Sequence, residues 1–336
     1  MRNAIKTIRE YFSLLRIQTG ATTATAPLLG GLVMGQKDVL LLSILFVIGL
    51  LYHIFGFVLN EYKDIEIDRK SIDLKKKPLV SGNITKNKAL FIVIISIIIG
   101  YTLIVFFYKS IYPISFFTIA LLLGGLYDIY GKKIAGMDFV LAGGFFFICL
   151  MGASTVSTEF NVLVYIICLL FYFQIVFNNV VEGGLKDIDH DGMAGAKTIA
   201  QSLGVIVNRG VLIISKSFIG FAYGLRLIFL GLIIFLGSKP ELNIWSYKHS
   251  IQMFIIVILV VIIFTLLTRF LKSLKFDRAR LKRLFSIHEM SSYFMLILVL
   301  SPLFKLYLTI FLLILPAVWY IISNIALYGT LLEPRV

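Results

Sequence analysis

The feature that most constrains this chain is its succession of long apolar runs that contain few charged residues. About 20 consecutive apolar residues form a helix long enough to cross the hydrocarbon core of a bilayer. In lipid, only helices and closed barrels satisfy their own backbone hydrogen bonds. The runs predict an all-α polytopic transmembrane bundle of nine to ten helices, the number depending on whether Pro302 and Lys305 break the final run. The ten predicted spans cover residues 12–35, 38–61, 87–108, 111–130, 137–157, 161–183, 208–236, 250–272, 287–306 and 307–329.

Composition and charge narrow the class of protein further. Hydrophobic residues make up 59% of the 336 positions and charged residues 15%, whereas a soluble domain is about 45–50% apolar and about 25% charged. The net charge is +14, and every second predicted loop is basic, as cytoplasmic loops of membrane proteins are. We therefore expect a multi-pass cell-membrane protein with a cytoplasmic N-terminus and cytoplasmic active-site loops, and no nucleic-acid partner. Both cysteines lie within apolar runs, which indicates neither a disulfide framework nor a thiolate metal site.

A short motif occurs twice at equivalent places along the chain. Residues 63–68 and 186–191 both read K-D-I-acid-x-D, and they follow the second and sixth predicted spans. An offset of four spans preserves orientation, which predicts two four-helix parallel pseudo-repeats related by an axis along the membrane normal. The chain is accordingly predicted to form one domain, 1–336, made of repeats at about 12–130 and 137–272 and C-terminal helices at 287–329.

Half of the acidic side chains lie in two short segments. Five of the 18 fall within 61–73 and four within 182–191. Helical spacing places the polar members of each group on one stripe: Asn60, Asp64 and Asp68 in the first, Asp187 and Asp191 in the second. Carboxylates one turn apart repel each other, which favours a bound cation. Such hard oxygen ligands suit Mg²⁺, which usually takes one or two carboxylates plus waters and phosphate oxygens. Basic residues among the acids would oppose a bare cation, so the pattern predicts two Mg²⁺ ions that bridge a diphosphate.

These segments resemble the two signatures of the UbiA superfamily of intramembrane prenyltransferases, within a similarity that covers about residues 10–210. The first signature, N-x-x-x-D-x-x-x-D after the second helix, is matched by Asn60, Asp64 and Asp68. The second, K-D-x-x-x-D-x-x-x-G-x-x-T, is matched by Lys186, Asp187, Asp191, Gly195 and Thr198. Paired signatures at this spacing are highly specific.

Other positions extend the resemblance. Tyr127 with Lys132 resembles the family's tyrosine and lysine after the fourth helix, and Arg16 resembles an arginine at the start of the first. The lysine-rich stretch before Pro78 also looks like the family's pattern. One departure is Glu61, where many relatives carry aspartate, and we expect that position to face elsewhere.

The resemblance implies Mg²⁺-dependent transfer of a prenyl group from a polyprenyl diphosphate to a lipophilic acceptor, with release of diphosphate. The acceptor stays open between an aromatic or quinone precursor and a prenylglycerol phosphate. The implied metal ligands are Asn60, Asp64, Asp68, Asp187 and Asp191. The implied donor-binding residues are Asn60, Arg16, Arg69, Lys132 and Lys186. Tyr127 is the fifth implied catalytic residue, beside the four aspartates, because it would hydrogen-bond the diphosphate or stabilise positive charge through its ring. Membrane lipids are expected partners, and no obligate protein partner is inferred.

A divalent-cation transporter that uses the paired aspartates is the rival function. Transport requires polar groups near mid-bilayer, whereas these acids cluster at one predicted membrane face. A non-catalytic lipid-binding scaffold gives no reason for paired metal motifs. Three polar residues keep open interpretations: His53 packs in the core or lines a pocket, and Glu182 pairs with Lys186 or orients or deprotonates an acceptor hydroxyl. The sequence assigns no role to His288.

Overall fold

The computed structural model of the chain describes residues 2–69, 73–273 and 275–331. Within that part of the chain, nine helices are long and apolar enough to cross a membrane, which confirms the predicted polytopic helical bundle. The longer helices are α1 Arg2–Leu14, α2 Gly20–Val33, α3 Val39–Asp68, α4 Lys86–Tyr108, α5 Ile111–Tyr130, α6 Met137–Ser154, α7 Val162–Val176, α11 Lys216–Gly237, α12 Ser250–Leu271, α13 Arg278–Leu300 and α14 Leu306–Tyr328. The short elements are helices α8 Gly184–Lys186, α9 Ile188–Ala194 and α10 Ile199–Ser202, and strands β1 Ile206–Asn208 and β2 Val211–Ile213.

The chain divides into two compact units, and the first contains residues Met1–Tyr172 and Trp319–Val336. In this unit α2 packs directly on α6. A Cβ on Gly30 would strike the carbonyl of Cys149, and a Cβ on Gly152 would strike the carbonyl of Pro27. Small residues let helix backbones approach closely in membranes. The two glycines therefore explain why almost every residue of α2 is buried.

The first predicted span, 12–35, is wrong as a continuous helix. The chain leaves α1 at Leu14, and Arg16 adopts a left-handed conformation with φ 44°. A single 3₁₀ turn, Ile17–Thr19, then leads into α2. The 14 residues of α2 rise about 21 Å, which is less than the hydrocarbon core of about 30 Å. Hydropathy did not reveal the break because apolar residues lie on both sides of Arg16.

The second unit contains residues Phe173–Val318. Helix α13 packs against both α11 and α12. After α7 the chain continues as a π-helical segment, Phe177–Gly183, which leads into α8. Segments of this kind are rare and are frequently found at functional sites. Nothing in the sequence pattern predicted this one.

The span predicted at 208–236 begins too early, and a short β-hairpin departs from the all-α prediction. Strands β1 and β2 form an antiparallel hairpin. Arg209 and Gly210, with φ 48° and 76°, occupy its two-residue turn, a conformation that two-residue hairpin turns require. Helix α11 begins only at Lys216, after Ser215 caps its N-terminus.

The last two spans are separate helices, as predicted, but the first of them starts earlier than residue 287. Helix α13 begins at Arg278, and the Asp277 carboxylate caps it by accepting from the backbone of Arg280. A 3₁₀ turn, Ser301–Leu303, separates it from α14. His288 is therefore in the middle of a helix and not at its start. The single-domain and pseudo-repeat expectations remain predictions.

Candidate active site

The first aspartate motif occupies the last turns of α3 in the first unit. Asn60, Asp64 and Asp68 follow at intervals of four residues in this unbroken helix. They therefore share one stripe, as the sequence predicted. Asp68 is buried, with 3% of its surface exposed, and the Asp64 side chain is 13% exposed. The stripe thus carries two carboxylates in poorly hydrated surroundings, where each needs a cationic partner.

Lys132 supplies the partner of Asp64. Its Nζ lies 3.0 Å from Asp64 Oδ2. Lys132 follows the end of α5, where the Gly131 amide donates to the Tyr127 carbonyl. The structure therefore brings the tyrosine–lysine segment to the first motif, as the sequence led us to expect for Lys132. About a third of the Lys132 side chain remains exposed, which leaves the ammonium room to reach another anion.

Lys77 supplies the partner of Asp68, and sequence reasoning missed it. Its Nζ lies 2.8 Å from Asp68 Oδ2 and 2.9 Å from Glu61 Oε1. All three side chains are largely buried. The lysine-rich stretch before Pro78 gave a signal, but three consecutive lysines did not reveal which one turns inward.

Glu61 joins the same network, so the expectation that this position faces elsewhere is wrong. Besides Lys77, it accepts a hydrogen bond of 2.6 Å from Arg16. The left-handed Arg16 is held at its backbone as well, because its carbonyl lies 3.0 Å from Nε2 of the buried His53. The other ring nitrogen of His53 bonds the Thr23 hydroxyl. His53 is thus a packing histidine that fixes the bend carrying Arg16.

The first unit also contains two predicted site residues, Arg69 and Tyr127, and one residue that was not predicted, Asp128. Arg69 pairs with the exposed Glu66 at 3.0 Å, and no contact links it to the motif carboxylates in the described residues. Tyr127 lies on α5 beside Asp128, whose carboxyl interacts with Asn60. Asp128 could have been found as an isolated acid at the end of an apolar span.

The second aspartate motif lies in the second unit, where the helix is interrupted. Asp187 has non-helical torsion angles and separates α8 from α9. The Asp191 amide nevertheless donates to the Asp187 carbonyl at 2.9 Å, so both aspartates lie one turn apart, as predicted. Lys186 Nζ is 3.2 Å from Asp187 Oδ2. The last two residues of the motif also have structural roles: Gly195 ends α9 in the left-handed conformation, and Thr198 caps α10 through a capping box.

Arg278 holds the second motif in place, a role that sequence reasoning missed. Its Nε donates to the Lys186 carbonyl at 3.0 Å, and its Nη2 lies 2.5 Å from Asp189 Oδ1. Asp189 is therefore paired with Arg278. The guanidinium ties the start of α13 to the turn that carries Lys186 and Asp187.

The donor set of each motif fits Mg²⁺. Across the described residues, no three His, Cys, Asp or Glu side chains form a closed metal cage. Mg²⁺ commonly uses one or two carboxylates and completes its shell with water and phosphate oxygens, and each motif offers two aspartates. Lys77 and Lys132 neutralise Asp68 and Asp64 in the first motif, so repulsion there is already offset without an ion.

The UbiA prenyltransferase family profile matches residues 24–292 of this chain. The chain belongs to the UbiA prenyltransferase family. It is therefore an enzyme, a prenyltransferase, and a multi-pass membrane protein. The match spans most of the chain and contains both aspartate motifs, which confirms the resemblance drawn from them. The transporter and scaffold interpretations find no support.

Individual relatives and one solved structure agree with this assignment. A digeranylgeranylglyceryl phosphate synthase from Saccharolobus solfataricus is 28% identical over 240 residues, which cover 68% of this chain and 82% of that protein. A protein of the same name from Sulfurisphaera tokodaii is 24% identical over 237 residues, which cover 68% and 84%. A UbiA homologue from Archaeoglobus fulgidus, solved with GPP and Mg²⁺ bound, superposes with a TM-score of 0.63 at 16% identity, covering 88% of this chain and 99% of the other.

Proposed function

We propose that this prenyltransferase moves a prenyl group from a prenyl diphosphate to the free hydroxyl of a prenylated glyceryl phosphate, in a Mg²⁺-dependent reaction. The reaction class rests on the family and on one observation, the stripe of carboxylates on α3 whose partners are Lys132 and Lys77. The acceptor rests on similarity to two proteins named for digeranylgeranylglyceryl phosphate synthesis, matched over more than four fifths of their length. An aromatic or quinone acceptor has no such support.

In this proposal the two motifs would hold two Mg²⁺ ions for the diphosphate head group. Asn60, Asp64 and Asp68 would hold one ion, and Asp187 and Asp191 would hold the other. Bound Mg²⁺ supplies Lewis acidity, which neutralises the charge that builds on the leaving diphosphate.

The lysines have two successive roles. Before the donor binds, Lys132 and Lys77 neutralise the carboxylates of the first motif. Once the donor is bound, Lys132 and Lys186 donate to diphosphate oxygens, because both side chains keep a quarter to a third of their surface exposed. Preorganised cationic donors stabilise a leaving anion more than mobile water does.

Arg16 and Tyr127 stay candidates for the donor site. Arg16 is held by Glu61 and by its own backbone, so its guanidinium is oriented in advance. Arg69 is the weakest candidate, because it pairs with an exposed glutamate. The basic loops favour a cytoplasmic location of both motifs, and the membrane would deliver both lipophilic substrates.

The experiment is a reconstitution assay with the purified full chain. Geranylgeranyl diphosphate and Mg²⁺ are supplied with either geranylgeranylglyceryl phosphate or an aromatic carboxylic acid, and products are measured by mass spectrometry. We expect a doubly prenylated glyceryl phosphate only with the first acceptor, and none after chelation of Mg²⁺. Product from the aromatic acid alone would refute the proposed acceptor. Mg²⁺ uptake into proteoliposomes without prenyl transfer would refute the proposed transfer reaction.

A further inference from the structure

A buried polar cluster lies in the second unit, away from the aspartate stripes. We define it by four ionisable side chains: Glu182, Arg226, His288 and Glu289. Arg226 is 2% exposed, Glu182 5% and His288 0%, although all four belong to candidate membrane spans. Ionisable groups at membrane depth are costly and usually functional. Purely structural packing does not call for them, since well-packed apolar residues often stabilise a core equally well.

Hydrogen bonds connect the members of the cluster. His288 Nδ1 lies 2.8 Å from Glu182 Oε1. On the other side, Arg226 Nη1 donates to the side-chain oxygen Oε1 of Gln174 at 2.8 Å, and Gln174 Nε2 donates to Asn178 Oδ1 at 2.6 Å. Asn178 in turn interacts with Glu289. Arg226 also stacks over the ring of Phe177 at 3.5 Å.

The cluster is not fully satisfied by the protein. Three buried nitrogen atoms have no hydrogen-bond partner within the described residues: Arg226 Nε, Arg226 Nη2 and His288 Nε2. Glu182 Oε2 makes no hydrogen bond to that part of the chain either, and 7% of the Glu182 side chain stays exposed. Unpaired polar groups at buried positions cost free energy. They indicate a site that a polar group of a ligand completes.

The cluster has two carboxylates and one guanidinium. Arg226 interacts electrostatically with both Glu182 and Glu289, so one guanidinium serves two carboxylates. One carboxylate is therefore left able to bind a proton. Glu182 is the candidate that would accept a proton, because it lies in the π-helical segment, five positions before Asp187 and within electrostatic reach of Lys186.

We propose that Glu182 accepts the proton of the acceptor's attacking hydroxyl, an inference that rests on the proposed glyceryl phosphate acceptor. The hydroxyl O–H bond breaks and its proton passes to Glu182 Oε2. The hydroxyl oxygen forms a bond to the allylic carbon, and the carbon–diphosphate bond breaks with its electron pair leaving on diphosphate. His288 donates from Nδ1 to Oε1 and so orients the carboxylate. The Arg226 guanidinium stabilises the negative charge of the Glu182 and Glu289 carboxylates.

The test compares two acceptors in the reconstituted full chain. One is geranylgeranylglyceryl phosphate, and the other is its analogue with a thiol in place of the attacking hydroxyl. A thiol ionises near pH 8.5 without help, so it depends less on a base. With Glu182→Gln we expect transfer to the hydroxyl to fall about 100-fold or more, as for a lost general base. Transfer to the thiol should fall far less, and Mg²⁺-dependent binding of geranylgeranyl diphosphate should be unchanged.

Glu241→Gln, at an exposed position of the same unit, is the matched control and should behave as wild type. Glu182→Asp keeps the charge and should show intermediate hydroxyl transfer, which preserves the test if the glutamine variant does not accumulate. Equal losses with both acceptors, or normal hydroxyl transfer in Glu182→Gln, would overturn the inference. Wild-type protein that binds the donor but prenylates neither acceptor would instead overturn the proposed function, and this inference with it.

Discussion

Replacing Lys77 with methionine should destabilise the protein by about 3 kcal/mol, the lower part of the range for breaking a buried ion pair. The Lys77 ammonium lies between Glu61 and Asp68, at 2.9 and 2.8 Å, and its side chain is only 11% exposed. Glu61 would keep its bond to Arg16. Asp68 would keep no ion pair within the described chain, so the cost corresponds to one uncompensated carboxylate.

Equilibrium unfolding in mixed detergent micelles measures this cost. Lys76→Met is the matched control, because Lys76 is exposed one residue away and its removal should cost little. Adding Asp68→Asn to the Lys77 variant removes both charges of the pair. The double variant should therefore lose about 2 kcal/mol less than the sum of the two single variants.

The same variant reports on metal binding. Because the Lys77 ammonium no longer neutralises Asp68, Mg²⁺ should raise the unfolding free energy of Lys77→Met more than that of wild type. The double variant should lose this extra stabilisation. A Lys77 variant as stable as the Lys76 control, with no added response to Mg²⁺, would refute the assignment of Lys77 as the partner of Asp68.

Three other variants test the remaining elements. Asp64→Asn should lower diphosphate release at least about 100-fold, whereas Glu66→Gln, on the exposed side of α3, should retain it; equal activities would remove Asp64 from the site. Arg278→Gln should lower product formation about tenfold, because the second motif loses its support. Arg280→Gln, at an exposed position, is the control. Unchanged turnover in Arg278→Gln would contradict this role. Gly152→Leu should abolish monodisperse protein in size-exclusion chromatography, because its side chain would strike α2; normal elution would contradict the close packing.

The features that repeat along the chain were predictable from sequence. Apolar length predicted most of the helices because backbone satisfaction in lipid leaves few alternatives. Helical spacing placed Asn60, Asp64 and Asp68 on one stripe, and α3 carries them that way. Paired motifs in a recognisable order led to the family.

The features that depend on single contacts were not predictable. The bend at Arg16 depends on His53, 37 positions away, and no local pattern encodes that contact. Lys77 is one of three consecutive lysines, and the sequence did not indicate which of them faces inward. Glu182 was correctly singled out as an unusual acid, but its hydrogen-bond partner is His288, 106 positions away, and not the neighbouring lysine. Periodicity reports which face a residue occupies, whereas such contacts are set by tertiary packing.

The most direct test of the account is a structure of the full chain with Mg²⁺ and a non-hydrolysable prenyl thiolodiphosphate. The account predicts ions about 2.0–2.1 Å from carboxylate oxygens of Asp64 and Asp187, the distance of Mg²⁺ coordination. It also predicts that Lys132 moves from Asp64 to the diphosphate. Head-group density remote from both aspartates, or a donor bound equally well in the presence of a chelator, would contradict the proposed site.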